Sequence, residues 1–247
     1  MKILAISGSP RKGNTFSVLN SIKENYPEID FKLIQLSDLN FEYCRGCYGC
    51  VKKGENTCPI KDDRDMIIQE MMEADGIIMA SPVYSLMVSA PMKNFFDRFG
   101  FYGHRPQFFT KYALSIATCS GYGAEDAIKY MNKMLKVFGF NMAPALELQF
   151  RPGGMPEHQK INNHQKTIKA VDTLISRIKE GKTDKPTIDM MVPFGIFKYV
   201  AQLDKNLMSA DYEYYKDKTD YYYETKIPGF KKMISKRVVK KIIANFD

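Results

Sequence analysis

Two stretches of this chain hold side chains whose types and spacing could do chemistry. The first is Gly8-Ser9-Pro10-Arg11-Lys12-Gly13-Asn14-Thr15, which lies between an apolar run at residues 3–6 and an amphipathic run opening near Asn14. That order reads strand, loop, helix. Backbone N–H groups, hydroxyls, an amide and two cations at the positive end of a helix together suit a phosphate dianion. Two nucleotide motifs are excluded. A P-loop requires Lys and then Ser or Thr after its second glycine, and here Asn14 follows Gly13; a dinucleotide fingerprint requires Gly-x-Gly-x-x-Gly, which residues 8–13 lack. What remains is a hydroxyl-rich cradle for one phosphate, the kind a flavin mononucleotide carries; an ordinary capped turn is the alternative on this loop alone.

The second stretch is Cys44-x2-Cys47-x2-Cys50-x7-Cys58, with Pro59 after the last thiol. Its first three cysteines have the spacing of a bacterial ferredoxin run, although the final gap is longer. Gly46 and Gly49 would permit tight turns and let amides approach cluster sulfurs. Three readings stay open: an iron–sulfur cluster, free or reversibly oxidised thiols, and a zinc site built from Cys44, Cys47, Cys50 and Cys58. Cys119 stands alone and reads as a loop residue beside a bound flavin rather than a ligand of the cysteine site. The three histidines, His104, His158 and His164, form no recognisable pair with Ser or Cys and read as surface or loop residues. No side chain is assigned as a catalytic acid or base.

The elements that must position these residues alternate along the chain. Residues 31–36 alternate as an edge strand does, and 76–80 and 112–118 are continuously apolar, the pattern of strands buried on both faces. Residues 145–150 read as the last strand. Amphipathic helices fall between, one opening at Asp62-Asp63-Arg64-Asp65, one with Pro91 in its first turn, and one closing the domain over 158–180. The expectation is an α/β fold with a doubly wound, parallel, five-stranded sheet over residues 1–182 and a helical C-terminal extension over 183–247. Three connections, after Ser7, Ala80 and Ala117, then lie at carboxyl ends of strands, where open sheets of this kind bind ligands. Residues 81–88 are read as a loop.

With 247 residues, 45% of them apolar, the chain can bury one good core and carry an appendage. The formal charge of +8 fits an anionic ligand, but the cations are dispersed until the C-terminus, so no nucleic acid is indicated. The longest apolar stretch, residues 77–92, is broken by Ser81, Pro82, Ser85, Ser89 and Pro91 and does not read as a spanning helix. Met1 leads directly into the first strand, so a soluble, cytoplasmic protein is expected.

The phosphate loop, the segment Ser81-Pro82-Val83-Tyr84 after a buried strand, and the cysteine cluster between them occur in an order that resembles the flavodoxin-like NAD(P)H-dependent FMN reductases, and more narrowly their iron–sulfur flavoprotein branch. The resemblance covers roughly the first 180 residues. It implies FMN as cofactor, NAD(P)H or a reduced carrier as electron donor, and a small-molecule or protein acceptor. It places Ser9, Arg11, Asn14 and Thr15 on the FMN phosphate, with Ser7 and Ser17 nearby. Pro82, Val83, Tyr84, Ser85 and Met87 then border one side of the isoalloxazine, and Thr118, Ser120, Gly121 and Tyr122 the other. It also implies one [4Fe–4S] cluster on the four cysteines, and a homo-oligomer, dimer or tetramer. Arg98 and His104 are further candidates for the flavin edge. A one-electron carrier and a flavin or thiol redox sensor are the competing functions.

In the extension, Phe230, Met233, Ile234, Val238, Ile242 and Phe246 fall on one helical face, while Lys231, Lys232, Lys236, Arg237, Lys240 and Lys241 largely fill the other. The expected arrangement is docking of that apolar stripe on its own domain or a second subunit, with no membrane contact. Tyr212, Tyr214, Tyr215, Tyr221, Tyr222 and Tyr223 suit either an interface or simple packing.

Overall fold

The computed structural model describes residues 1–244; Phe246, assigned above to the last apolar stripe, lies outside the described residues. The chain begins β1 (Lys2–Ser7), α1 (Asn14–Asn25), β2 (Asp30–Gln35), α2 (Gly49–Lys52), α3 (Arg64–Glu73), β3 (Gly76–Tyr84), β4 (Met87–Val88) and α4 (Ala90–Arg98). It continues α5 (Phe101–His104), β5 (Tyr112–Cys119), α6 (Ala124–Phe138), β6 (Asn141–Met142), β7 (Leu146–Gln149) and α7 (Glu157–Glu180), then α8 (Ile188–Leu203), α9 (Ser209–Tyr215) and α10 (Gly229–Ile243). Two compact units result. Met1–Cys44, Lys61–Phe99 and Gln107–Thr183 build the first, while Arg45–Ile60, Gly100–Pro106 and the chain from Asp184 onward build the second. The C-terminal extension thus gathers two segments that a cut at residue 182 would leave with the sheet.

In the first unit the sheet order is β2-β1-β3-β5-β6, with β7 also on β5. These pairings are all parallel. β6 pairs Tyr112 and Ala113 while β7 pairs Ile116 to Cys119, so both occupy one edge position and the sheet is five strands wide. Pro144 interrupts that edge because it has no N–H to donate to the ladder. Side chains alternate across the sheet. Ile3, Ala5, Ile78, Leu114 and Ile116 share a core with Leu19 and Ile22 of α1 and Val171 and Leu174 of α7. Leu4, Ile6, Ile77 and Met79 are fully buried on the opposite face, where α3 packs on β1 and α6 on β5. Helices therefore cover both faces, which is why the central strands read as unbroken apolar runs.

The segment read as a loop after Ala80 is instead a hairpin. β3 runs on to Tyr84 and pairs antiparallel with β4, Val83 opposite Val88 and Tyr84 opposite Met87. The turn is Ser85-Leu86, both left-handed, with φ of 49° and 67°. Such two-residue turns normally advertise themselves by Asn-Gly, and neither residue here does so.

In the second unit Phe194 of α8 meets Tyr215, Tyr221 and Tyr222 in tilted and edge-on contacts. These tyrosines are buried, so that part of the Tyr-rich patch is core. Gly195 lets α10 approach closely, since a Cβ there would stand 2.7 Å from Val239 Cγ2. Small Ser235 and branched Val239 face α8, whereas Phe230, Met233, Ile234 and Val238 are 59%, 49%, 38% and 37% exposed. The stripe, expected to dock on its own domain or on a second subunit, is thus not taken up by its own chain, because the tight crossing admits only the slimmer face. No helix among the described residues is long and apolar enough to cross a membrane.

Candidate functional site

The phosphate loop is held from both sides. Gly8 donates its N–H to the Ala80 carbonyl (2.8 Å) and accepts from Ser89 Oγ (2.5 Å). A Cβ on Gly8 would stand 2.6 Å from Met92 Cβ, so the approach of this loop to α4 requires glycine. Behind the loop Gln35, buried at the end of β2, donates Nε2 to the Ser9 carbonyl and to Ser37 Oγ (3.2 Å). Ser9 Oγ donates to the Arg11 carbonyl (2.6 Å). With these carbonyls engaged, the N–H groups that open α1 stay available. Gly13 caps α1 in an extended conformation without a side-chain bond, and the N–H groups of Asn14, Thr15 and Phe16 have no partner among the described residues. A helix start in this state attracts an anion.

Three connections meet at one pocket of about 80 Å³. Ser9, Arg11, Gly13, Asn14 and Thr15 line it from the first, Pro82, Val83 and Tyr84 from β3, and Thr118, Cys119 and Ser120 from the end of β5, with Phe150 beside them. Thr15 Oγ1 and Thr118 Oγ1 share a buried 2.7 Å hydrogen bond, joining the first and third connections. Of the residues that the resemblance placed around the cofactor, Ser7, Ser17, Ser85, Met87, Gly121 and Tyr122 stand outside this lining. Ser85 sits at the hairpin tip, the Gly121 carbonyl accepts from Cys119 Sγ (3.6 Å), and Tyr122 is 83% exposed. Gly13 and Phe150 were not singled out as lining, nor was Gln35 as support, whereas Cys119 lies in the lining as a residue expected beside the flavin. Burial pushes the Cys119 thiol up from its ordinary value. The donors suit a phosphate monoester, and Pro82, Val83, Tyr84 and Phe150 offer the apolar flank that a ring system attached to it requires. The residues therefore fit FMN in kind.

The cysteine stretch is divided between the units. In the first, the Cys44 N–H donates to Asn94 Oδ1 (3.1 Å), and Asn94 Nδ2 donates to the Glu42 carbonyl (3.0 Å). Arg98, proposed above for the flavin edge, is instead buried against Asp62 at 2.6 Å, with side chains 1% and 0% exposed. Asp62 also accepts the N–H groups of Glu42 (2.9 Å) and Arg64 (3.2 Å). In the second unit Arg105 donates to the carbonyls of Cys50 (2.6 Å) and Val51 (2.9 Å) and pairs with Glu55 (3.1 Å) and Asp211. His104, expected at the surface or flavin edge, pairs its Nδ1 with Asp211 (2.8 Å) and lies 4.1 Å from the Phe197 ring. Gly46 takes a left-handed φ of 62°, as the tight turn after Cys44 was expected to need. Cys44 and Cys47 are exposed, Cys50 half-buried and Cys58 buried. Four thiols have the number and softness for a cluster, yet no group of three or more His, Cys, Asp or Glu side chains is gathered as metal ligands among the described residues.

Comparison with known proteins agrees with this layout. The sequence model of the NADPH-dependent FMN reductases matches residues 1–153. An iron–sulfur flavoprotein of Archaeoglobus fulgidus is 34% identical over 226 residues, covering 88% of this chain and 99% of that one. One of Methanocaldococcus jannaschii is 48% identical over 103 residues, 40% of this chain and 51% of that relative. Among solved structures, RosB with bound 8-demethyl-8-formylriboflavin-5′-phosphate shares the fold, at a TM-score of 0.55 and 15% identity, over 93% of this chain and 92% of its own. Matched by the family's sequence model across its sheet and by the archaeal relative nearly end to end, the chain belongs to the flavodoxin-like NADPH-dependent FMN reductase and iron–sulfur flavoprotein family of oxidoreductases.

Proposed function

We propose that the pocket at the carboxyl ends of β1, β3 and β5 holds FMN and that the protein passes electrons from NAD(P)H, or a reduced carrier, to a small-molecule or protein acceptor. The observation that carries this reading is the meeting of the uncapped start of α1 with Ser9, Arg11, Asn14, Thr15 and Thr118 in one pocket. FMN, when bound, supplies acceptance of a hydride at a ring nitrogen and release of electrons singly or in pairs. The chain's own residues bind and orient. Arg11 and the N–H groups of α1 neutralise the phosphate, the linked hydroxyls of Thr15 and Thr118 fix the depth at which it sits, and Pro82, Val83 and Tyr84 exclude water from one side of the ring. Ser85 at the hairpin tip, and Ser120, Gly121 and Tyr122 after β5, border its open edge. No acid or base is required of the protein.

Exposed Tyr84, Leu86, Met87 and Tyr122 flank this region, and such a patch supports pairing of two copies, a homodimer or a multiple of it. The cysteines, none of them in a disulfide among the described residues, suit a cytoplasmic setting. Mixing purified, FMN-loaded protein with NADPH under argon tests the reductase reading: bleaching of the visible flavin band within seconds is expected, and a stable band would defeat that reading in favour of the carrier or sensor functions. A second reading adds a [4Fe–4S] cluster on Cys44, Cys47, Cys50 and Cys58 for one-electron exchange. The four-thiol donor set, and the similarity to archaeal proteins named iron–sulfur flavoproteins, favour it. Iron and acid-labile sulfide in anaerobically purified protein are the measurement, and material with flavin but neither of these would remove the cluster.

A further inference from the structure

We propose that the outward face of α10 docks the protein on an anionic lipid surface. This helix of 15 residues is about 22 Å long, and within it no acidic residue appears. Its exposed side carries Phe230, Met233, Ile234 and Val238, with Lys236, Arg237, Lys240 and Lys241 among and beside them, also exposed. Asp220 draws on Lys232 at 2.6 Å and on Lys236 at 3.9 Å. Arg237, Lys240 and Lys241 have no ion-pair partner among the described residues. On the groove side, a cavity of about 210 Å³ between α8 and α10 is rimmed by Lys198, Lys232, Lys236 and Lys240 over a floor of Phe194 and Val239.

Charge decides the occupant. A second copy docked through the same face would bring cation against cation with no acid from either helix to offset it. An acidic bilayer supplies both halves of the match: headgroup phosphates for the Lys and Arg termini, whose stems lie along apolar surface, and an acyl boundary for Phe230, Met233, Ile234 and Val238. Each cation near such a surface adds several-fold to the affinity, and binding of an interfacial helix grows with its buried apolar area together with that attraction, so three unpaired cations and four apolar groups act jointly.

Flotation of the full-length protein with phosphatidylcholine vesicles, with and without phosphatidylglycerol, tests this. The wild type is expected to float only with the acidic vesicles and to be released at high salt. The variants Arg237→Gln/Lys240→Gln/Lys241→Gln and Met233→Ser/Ile234→Ser/Val238→Ser should each lower the bound fraction at least about tenfold. The wild-type arm decides without any variant: protein that stays at the bottom with acidic vesicles overturns the proposal. A smaller particle mass by light scattering for the Ser variant than for the wild type would also overturn it, since the stripe would then be a subunit interface.

Discussion

Gln35 lies 26 residues from Ser9, and nothing in the sequence near either one links them; the strand register makes the contact. Its amide engages the phosphate loop from behind, so Gln35→Leu leaves buried carbonyls without their donor. A loss of about 1–3 kcal/mol in stability, and roughly a tenfold weaker FMN affinity, are expected in denaturant unfolding and fluorescence titration. Thr15→Val should act similarly by stranding the Thr118 hydroxyl. The loop itself was legible because its hydroxyls, amide and cations sit together in sequence, whereas its support arrives from another strand. Thiol reactivity is the other prediction at this scale. Burial keeps Cys119 protonated at neutral pH while Cys44 and Cys47 are exposed. Timed iodoacetamide labelling with peptide mapping of metal-free protein should therefore modify Cys44 and Cys47 well before Cys119.

Among the elements, the central strands were readable as continuous apolar runs because burial on both faces leaves no polar alternation. The β3–β4 hairpin was not, since Ser85-Leu86 gives no turn signal and Tyr84 and Met87 look like loop aromatics and aliphatics. Both turn residues adopt a conformation that costs a side-chain-bearing residue about 1 kcal/mol or more. Ser85→Asn with Leu86→Gly should relieve it and raise the melting temperature by a few degrees, as calorimetry would record. The Asp62–Arg98 pair was equally invisible, because it joins residues 36 apart. Arg98→Met alone leaves a carboxylate buried and should cost about 3–5 kcal/mol in chemical unfolding, with Asp62→Asn added in the same chain restoring part of the loss.

At the scale of the whole molecule, the sheet unit and the extension obey different rules. Residues 45–60 and 100–106 join the C-terminal unit through contacts with distant residues, such as Arg105 with Asp211 and Ser209 with the Lys52 carbonyl (3.5 Å). A chain ending at Thr183 should consequently be cut quickly by trypsin at Lys52 and Lys53, where the intact protein resists. Acid stability is set partly in the sheet unit. Hydrogen bonding to Lys32 (2.5 Å), aided by Lys2 (3.0 Å), holds the Glu70 carboxyl below its usual range. A depressed folded value means that the stabilisation is complete above the unfolded value of about 4.3 and disappears as pH falls through the lower folded one. Glu70→Gln should therefore cost stability at neutral pH and flatten the acid limb of an unfolding-versus-pH curve.

One short helix joins the two stretches with which the chain's chemistry begins. α4 receives Gly8 at its first turn through Ser89, and it fastens Cys44 and Asp62 through Asn94 and Arg98. Its nine residues form a strut about 13 Å long. Strain entering where the nucleotide cradle rests on this strut arrives at the mooring of the first thiol. Damage from substitutions along it should then surface as paired defects, weaker nucleotide binding together with altered reactivity of the Cys44 thiol.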